Sequence, residues 1–312
     1  MALSEEIIPR IPLGSWGDNA LMWLRENAAV IFDVFSEITK FLVEALADGL
    51  KAIPAILLLA IFACAGWALR SWRLALSACI SFLLVMGLRQ WEQMLDTMAM
   101  VIIATLVAVV IALPVGIWAA KNDRVSATVR PILDFMQTMP AFVYLLPAVM
   151  FFSIGVVPGT FSTIIFALAP GVRMTELGIR HVDPEVVEAG RAYGATDRQI
   201  LRGIELPMAM PSIMAGINQI IMLSLSMAVI AGMVGADGLG KEVVAAISTL
   251  NLGQGLEAGL AVVILAVFLD RLTAALGNPG DYPSSLLARW RKARRQRQNG
   301  RVEQGLVGNA KP

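Results

Sequence analysis

EAGRAYGATDRQILRGIELP, residues 188–207, is a charged, turn-bearing segment set among long apolar runs. Its local signals describe two short helices. Asp183 followed by Pro184 makes a start, an N-cap carboxylate and then proline at the first helical position, and the helix runs through Glu188 to a stop at Gly194. The turn there calls for a left-handed backbone, which glycine adopts at no steric cost. Thr196 with Gln199 three residues on is a capping box that opens a second helix. That helix is expected to end at Pro207, which cannot continue a regular helix without losing a hydrogen bond. A polar loop of this kind, spanning 181–210, reads as a grip offered to something outside the membrane.

The membrane itself follows from composition. Apolar residues make up 57% of the chain and mean hydropathy is +0.70, above what a soluble domain shows. Apolar runs long enough to span a bilayer fall near 50–69, 73–88, 97–119, 131–154, 159–178, 211–234 and 256–276. The expectation is therefore an all-α polytopic membrane protein with about seven transmembrane helices, the second being the shortest. Lysine and arginine set its orientation. With the amino terminus outside, the inner loops hold Arg70, Arg73, Lys121, Arg124, Arg130, Arg180, Arg191, Arg198, Arg202 and a basic tail. The outer side holds only Arg10, Arg25, Lys40, Lys51, Arg89 and Lys241. The 188–207 segment and the carboxyl terminus then lie in the cytoplasm.

Three regions result. Residues 1–49 form a periplasmic or interfacial amphipathic region, with Ile31, Phe35, Ile38, Leu42 and Leu46 on one helical face and Asp33, Glu37, Lys40, Glu44 and Asp48 on the other. Residues 50–277 form the membrane domain. Residues 278–312 form a basic cytoplasmic tail, whose ARWRKARRQRQNGR run is suited to anionic lipid headgroups. Net charge is +1 and the basic residues are segregated along the chain rather than forming one field, so nucleic acid is not indicated. Cys64 and Cys79 lie in separate apolar runs without metal-ligand spacing, and the lone His181 cannot build a histidine metal site. No metal site and no catalytic residue is assigned.

Polar groups inside spans are costly unless they face a cavity or a partner helix. In RPILDFMQTMPAFVYLLP, Gln137 and Thr138 precede Pro140, and proline frees carbonyls that a cavity can use. Gln137, Thr138, Pro140, Asn218 and Ser224 are the candidates for a translocation path. The competing reading makes Asp134 a partner of a neighbour such as Arg130, the prolines packing devices, and the residues of the sixth span glue between helices. Phe135, Phe142, Tyr144, Phe151 and Phe152 offer ring faces to a cation or simply packing surface. Asp270 and Arg271 read as an ion pair or an interface anchor.

The spacing Glu-Ala-x, three residues, Gly, nine residues, Ile-x-Leu-Pro resembles the coupling loop of ABC importer permeases, with Gly190 in place of the usual second alanine. That resemblance assigns Glu188, Ala189, Gly190, Gly194, Ile204, Leu206 and Pro207 to a helix seated in a cleft of an ATP-hydrolysing subunit. DFMQTMPAFVYLLPAVM, TIIFALAPGVRMTELGI, LPMAMPSIMAGINQIIMLSLSMAVIAGMVGADGLG and AVVILAVFLDRLTAALG resemble the membrane subunit of glycine betaine and proline betaine importers, over roughly residues 95–277. The resemblance implies a type I ABC permease core and a homodimer. Its partners would be a cytoplasmic ATPase that binds ATP and Mg, and a periplasmic substrate-binding protein. No cofactor would sit in this chain. Permeases for choline, or for histidine and proline, share these motifs, so the solute stays open. An ion-driven secondary transporter would show buried acidic or histidine residues near midspan, or an internal repeat. An intramembrane enzyme would show a nucleophile and base, or a metal set.

Overall fold

The computed structural model describes residues 12–277, and every element among them is helical. The expectations for the tail and for the first eleven residues lie outside the described residues. In chain order the helices are α1 (Leu13–Asn27), α2 (Ala29–Ala52), α3 (Ala55–Leu69), α4 (Trp72–Gly87) and α5 (Trp91–Lys121). Next come α6 (Asp123–Thr138), α7 (Ala141–Phe152), α8 (Val156–Arg180), α9 (Pro184–Ala192) and α10 (Asp197–Ile200). A wide turn, Leu201–Glu205, leads into α11 (Leu206–Ala231), followed by α12 (Leu239–Ser248) and α13 (Leu252–Gly277).

Four of these stretches are long and apolar enough to cross a bilayer, and six if two bent pairs each count as one span. The bent pairs are α2 with α3 (105°) and α6 with α7 (99°). Both bends have the same cause: Ile53 and Met139 each precede a proline and take an extended backbone, ψ 131° and ψ 134°, because proline's ring disfavours the helical region at the residue before it. The run expected as one span at 131–154 is thus two helices meeting at Pro140. The second expected span, α4, has 16 residues, only about 24 Å at a helical rise, and packs as one arm of a hairpin with α3.

The core is built on α5, α8 and α11, and small residues let their backbones close in. Along α5, Ala104, Ala108, Ala112 and Gly116 recur every fourth position, all buried. A Cβ added at Gly171 of α8 would lie 2.5 Å from Ile220 Cδ1 and 2.9 Å from Ala112 Cβ. One at Gly178 would lie 2.7 Å from Ser212 Cβ, and one at Gly216 of α11 would lie 2.8 Å from Met174 Cβ. A second core joins α3, α4, α13 and the start of α5 through rings: Phe82 lies 5.3 Å from Phe62, 4.9 Å from Phe268 and 6.1 Å from Trp91, distances suited to edge-on and tilted contacts.

The bundle has two distinct ends. At one, Arg180 donates to the carbonyl of Ala119 (2.8 Å) and Lys121 pairs with Glu205. The starts of α5 and α8 lie at the other, and α2 touches both of them there. Phe35 packs on Phe161 of α8 (5.6 Å), and Lys51 pairs with Asp96 of α5 (2.6 Å). The face α2 turns to the bundle holds Thr39, Val43 and Ala47, all buried, while Ile31, Ile38 and Leu42 of its apolar stripe are exposed.

Candidate coupling site and solute path

Local chemistry shapes the 181–210 segment. Asp183 accepts from the Glu185 N–H (2.9 Å) and Pro184 sits in the first turn of α9, as helix starts favour. The helix closes by donation from Gly194 N–H to Arg191 (2.9 Å) and from Ala195 N–H to Gly190 (3.1 Å), and Gly194 has φ +80°. Together these form a Schellman-type stop. Across the turn, Thr196 N–H donates to Gln199 Oε1 (2.8 Å), half of the capping box that begins α10.

Pro207 does not end the second helix. Asp197–Val234 runs as one helical rod of 38 residues. The missing proline N–H is absorbed by the wide turn at Leu201–Glu205, where Leu206 N–H reaches back five residues to the Leu201 carbonyl. One extra residue in the turn relieves the clash that an α-helical register would force.

Glu188 and Ala189 are exposed, Gly190, Ile204 and Leu206 are half-buried, and Pro207 is exposed. Gly190 faces Ile204: a Cβ there would come within 2.8 Å of Ile204 Cδ1, which is how α9 lies close against the wide turn without an alanine. Beneath α9 a recess of about 230 Å³ is lined by Lys121, Arg180, Glu188, Arg191 and Glu205 among others. Tyr193, unremarked in the sequence, is 94% exposed at the tip between α9 and the turn. A lone tyrosine in a charged loop carries no periodic signal; only the geometry shows that it projects.

The segment stands on a ladder of ion pairs between α6 and α8. Its rungs are Asp134 with Arg173, Arg130 with Glu176 (2.9 Å), and Asp123 with Arg180 (2.8 Å). Glu176 is buried and also accepts from Ser126 Oγ (2.6 Å) and Arg180 Nε (3.0 Å). Three donors on one carboxylate offset its loss of water. The anticipated Asp134–Arg130 pair is not formed, since each residue takes a different partner on α8. Arg173 and Glu176 went unassigned because they sit inside an apolar run, although two charges within VRMTELG signal interhelical pairing.

The five path candidates divide. Gln137, Thr138 and Pro140 are exposed together at the α6–α7 bend, where Thr138 Oγ1 donates to the Phe135 carbonyl (2.9 Å). Asn218 donates to Asp270 (2.9 Å) and accepts from Thr273 (2.7 Å), locking α11 to α13. Ser224 is fully buried and accepts from Thr105 Oγ1 of α5 (3.4 Å). Phe151 stacks on Phe32 at 4.4 Å, Phe152 meets Phe35 and Phe161, and the Tyr144 hydroxyl donates to the Met136 carbonyl, so these three rings are engaged in packing.

Residues 112–278 match the family described as binding-protein-dependent transport system inner membrane component. The chain is 48% identical to the glycine betaine transport system permease protein OpuAB of Bacillus subtilis, over 85% of this chain and 94% of that one. It is 46% identical to the glycine betaine/carnitine transport permease protein GbuB of Listeria monocytogenes (86% and 96% covered). It is 42% identical to the glycine betaine/proline betaine transport system permease protein ProW of Escherichia coli (86% and 75%). Among solved structures, an inward-facing MetNI methionine ABC transporter chain superposes with a TM-score of 0.52 at 26% identity, covering 59% of this chain and 90% of that chain. Sequence, spacing and superposition agree that the chain belongs to the binding-protein-dependent inner membrane component family, as the permease subunit of an ABC importer and not itself an enzyme.

Proposed function

We propose that this permease imports glycine betaine or a closely related quaternary ammonium solute. The identity of 42–48% over most of the chain to permeases named for glycine betaine carries that reading. Membership of a binding-protein-dependent family implies an ATPase and a substrate-binding protein as partners. The finer assembly is our reading: two copies of this chain, two copies of an ATPase that holds ATP and Mg, and a binding protein docked on the far side of the membrane. The exposed face of α9 would enter the ATPase cleft, with Glu188, Ala189 and Gly190 at the contact and Tyr193 as an aromatic anchor, a residue type enriched where binding energy concentrates.

Closure of the ATPase pair would draw the two coupling segments together. The rod from Asp197 to Val234 carries that displacement into the bundle without an intervening loop. The polar surface of the path falls to Gln137 and Thr138 at the α6–α7 bend, since Asn218 and Ser224 already satisfy their polar groups between helices. The coupling end then faces the cytoplasm, and α2 lies along the outer headgroup region. Its contacts with the starts of both α5 and α8 support that placement, as does the 105° bend at which the chain turns into the bundle.

Uptake of labelled glycine betaine into liposomes holding the chain and its ATPase, with binding protein outside and ATP inside, tests the proposal. ATP-dependent uptake competed best by proline betaine is the expected result. Competition by choline or histidine alone would reassign the solute and leave the engine intact.

A further inference from the structure

The α3–α4 turn and the last turns of α13 border an open cavity of about 750 Å³ at the coupling end. Arg70, Arg73 and Arg271 line it, and among the described residues none that lines it is acidic. Arg70 Nη1 donates to the Arg271 carbonyl (3.4 Å), tying the α3–α4 turn to α13. Asp270, next in the chain, is turned to Asn218 instead. The first turn of α4, capped by Ser71, forms another wall and adds the positive end of a 16-residue helix. Trp72, 55% exposed, stands at the rim.

A second cavity of about 160 Å³ continues the first, for Leu74, Ser77 and Val267 line both. From there an apolar groove follows α4 to Phe82 and α13 back to Val263, that is, away from the coupling end and into the depth of the bundle. A basic chamber at the membrane edge joined to an apolar groove is the shape of one amphiphile.

We propose that this is a binding site for an anionic phospholipid, its phosphate diester held by Arg73 and Arg271 and an acyl chain laid in the α4–α13 groove. Guanidinium forks match phosphate oxygens in pairs, basic pockets between membrane helices suit anionic headgroups, and a rim tryptophan belongs at headgroup level. A soluble phosphate accounts for the arginines and leaves the groove unexplained.

Native mass spectrometry of the full chain, purified in mild detergent and offered equal phosphatidylglycerol and phosphatidylcholine, tests the site. The wild type should keep phosphatidylglycerol through delipidation and lose phosphatidylcholine. The double variant R73Q/R271Q should retain roughly tenfold less, and R73K/R271K, which keeps the charge, should fall between. V267W fills the groove without touching charge and should also lose the lipid, which keeps the test decisive if the arginine variant misfolds. Equal retention of both lipids by the wild type, or unchanged retention in both R73Q/R271Q and V267W, overturns the site. Displacement of the lipid by millimolar inorganic phosphate or glycerol phosphate, with V267W still binding those anions, assigns it to a free phosphate.

Discussion

A methyl group added at residue 116 and one added at residue 190 meet different obstacles. At Gly116 the new Cβ would lie 2.6 Å from Thr175 Cβ and 2.8 Å from the Val172 carbonyl oxygen, so α5 and α8 themselves must part. At Gly190 it meets only the terminal methyl of Ile204 at 2.8 Å, which can swing aside. Gly116→Ala should therefore cost about 1–3 kcal/mol of stability, read as a lower thermal midpoint in detergent, while Gly190→Ala stays within about 0.5 kcal/mol and keeps uptake. Gly194 poses a third problem, since its φ of +80° costs a β-branched residue about 1–2 kcal/mol. Gly194→Val should insert normally yet lose ATPase association and ATP-driven uptake; co-purification of the ATPase at wild-type yield would refute the assignment of this segment.

At the scale of elements, α6 is held to α8 by charge more than by apolar area, and Glu176 is the shared acceptor. Glu176→Gln keeps its shape and removes the charge that two arginines use. A loss of about 1–3 kcal/mol is expected, because Arg130 and Arg180 reach solvent and recover part of their hydration; a differential scanning experiment that finds no shift would show the ladder to be ornamental. The sequence made the caps of α9 and α10 legible, because Asp183, Pro184, Gly194, Thr196 and Gln199 act within one turn of themselves. It also showed the apolar cores of most spans. The bends at Pro54 and Pro140 were less legible, since proline signals a break and not an angle. The ladder was not legible, since Arg173 and Glu176 depend on a helix some forty residues away, and the helix-ending reading of Pro207 failed because a wide turn can absorb the lost N–H.

For the whole molecule, the spans pack around α5, α8 and α11, and the basic tail lies outside the described residues. Deleting residues 285–312 should leave basal transport intact, measured as uptake per inserted chain; abolished uptake in correctly inserted protein would make the tail structural. The sequence carried the class of the molecule further than its solute, since apolar runs and the 188–207 spacing report on membrane and engine while selectivity depends on surfaces that few residues build. One feature of the architecture bears on how such a chain can vary. The wide turn at Leu201–Glu205 holds one residue more than an α-helix needs, so taking one residue out of it would restore regular winding and leave α9 close to its present azimuth, while pressing the Pro207 ring back onto the carbonyl four residues before it. Taking one out of the regular α-helical run beyond Pro207 would instead swing α9 about 100° around the rod. The bulge is slack wound into a stiff shaft, and ATP-driven uptake should survive a single-residue deletion between 201 and 205 better than one between 212 and 222.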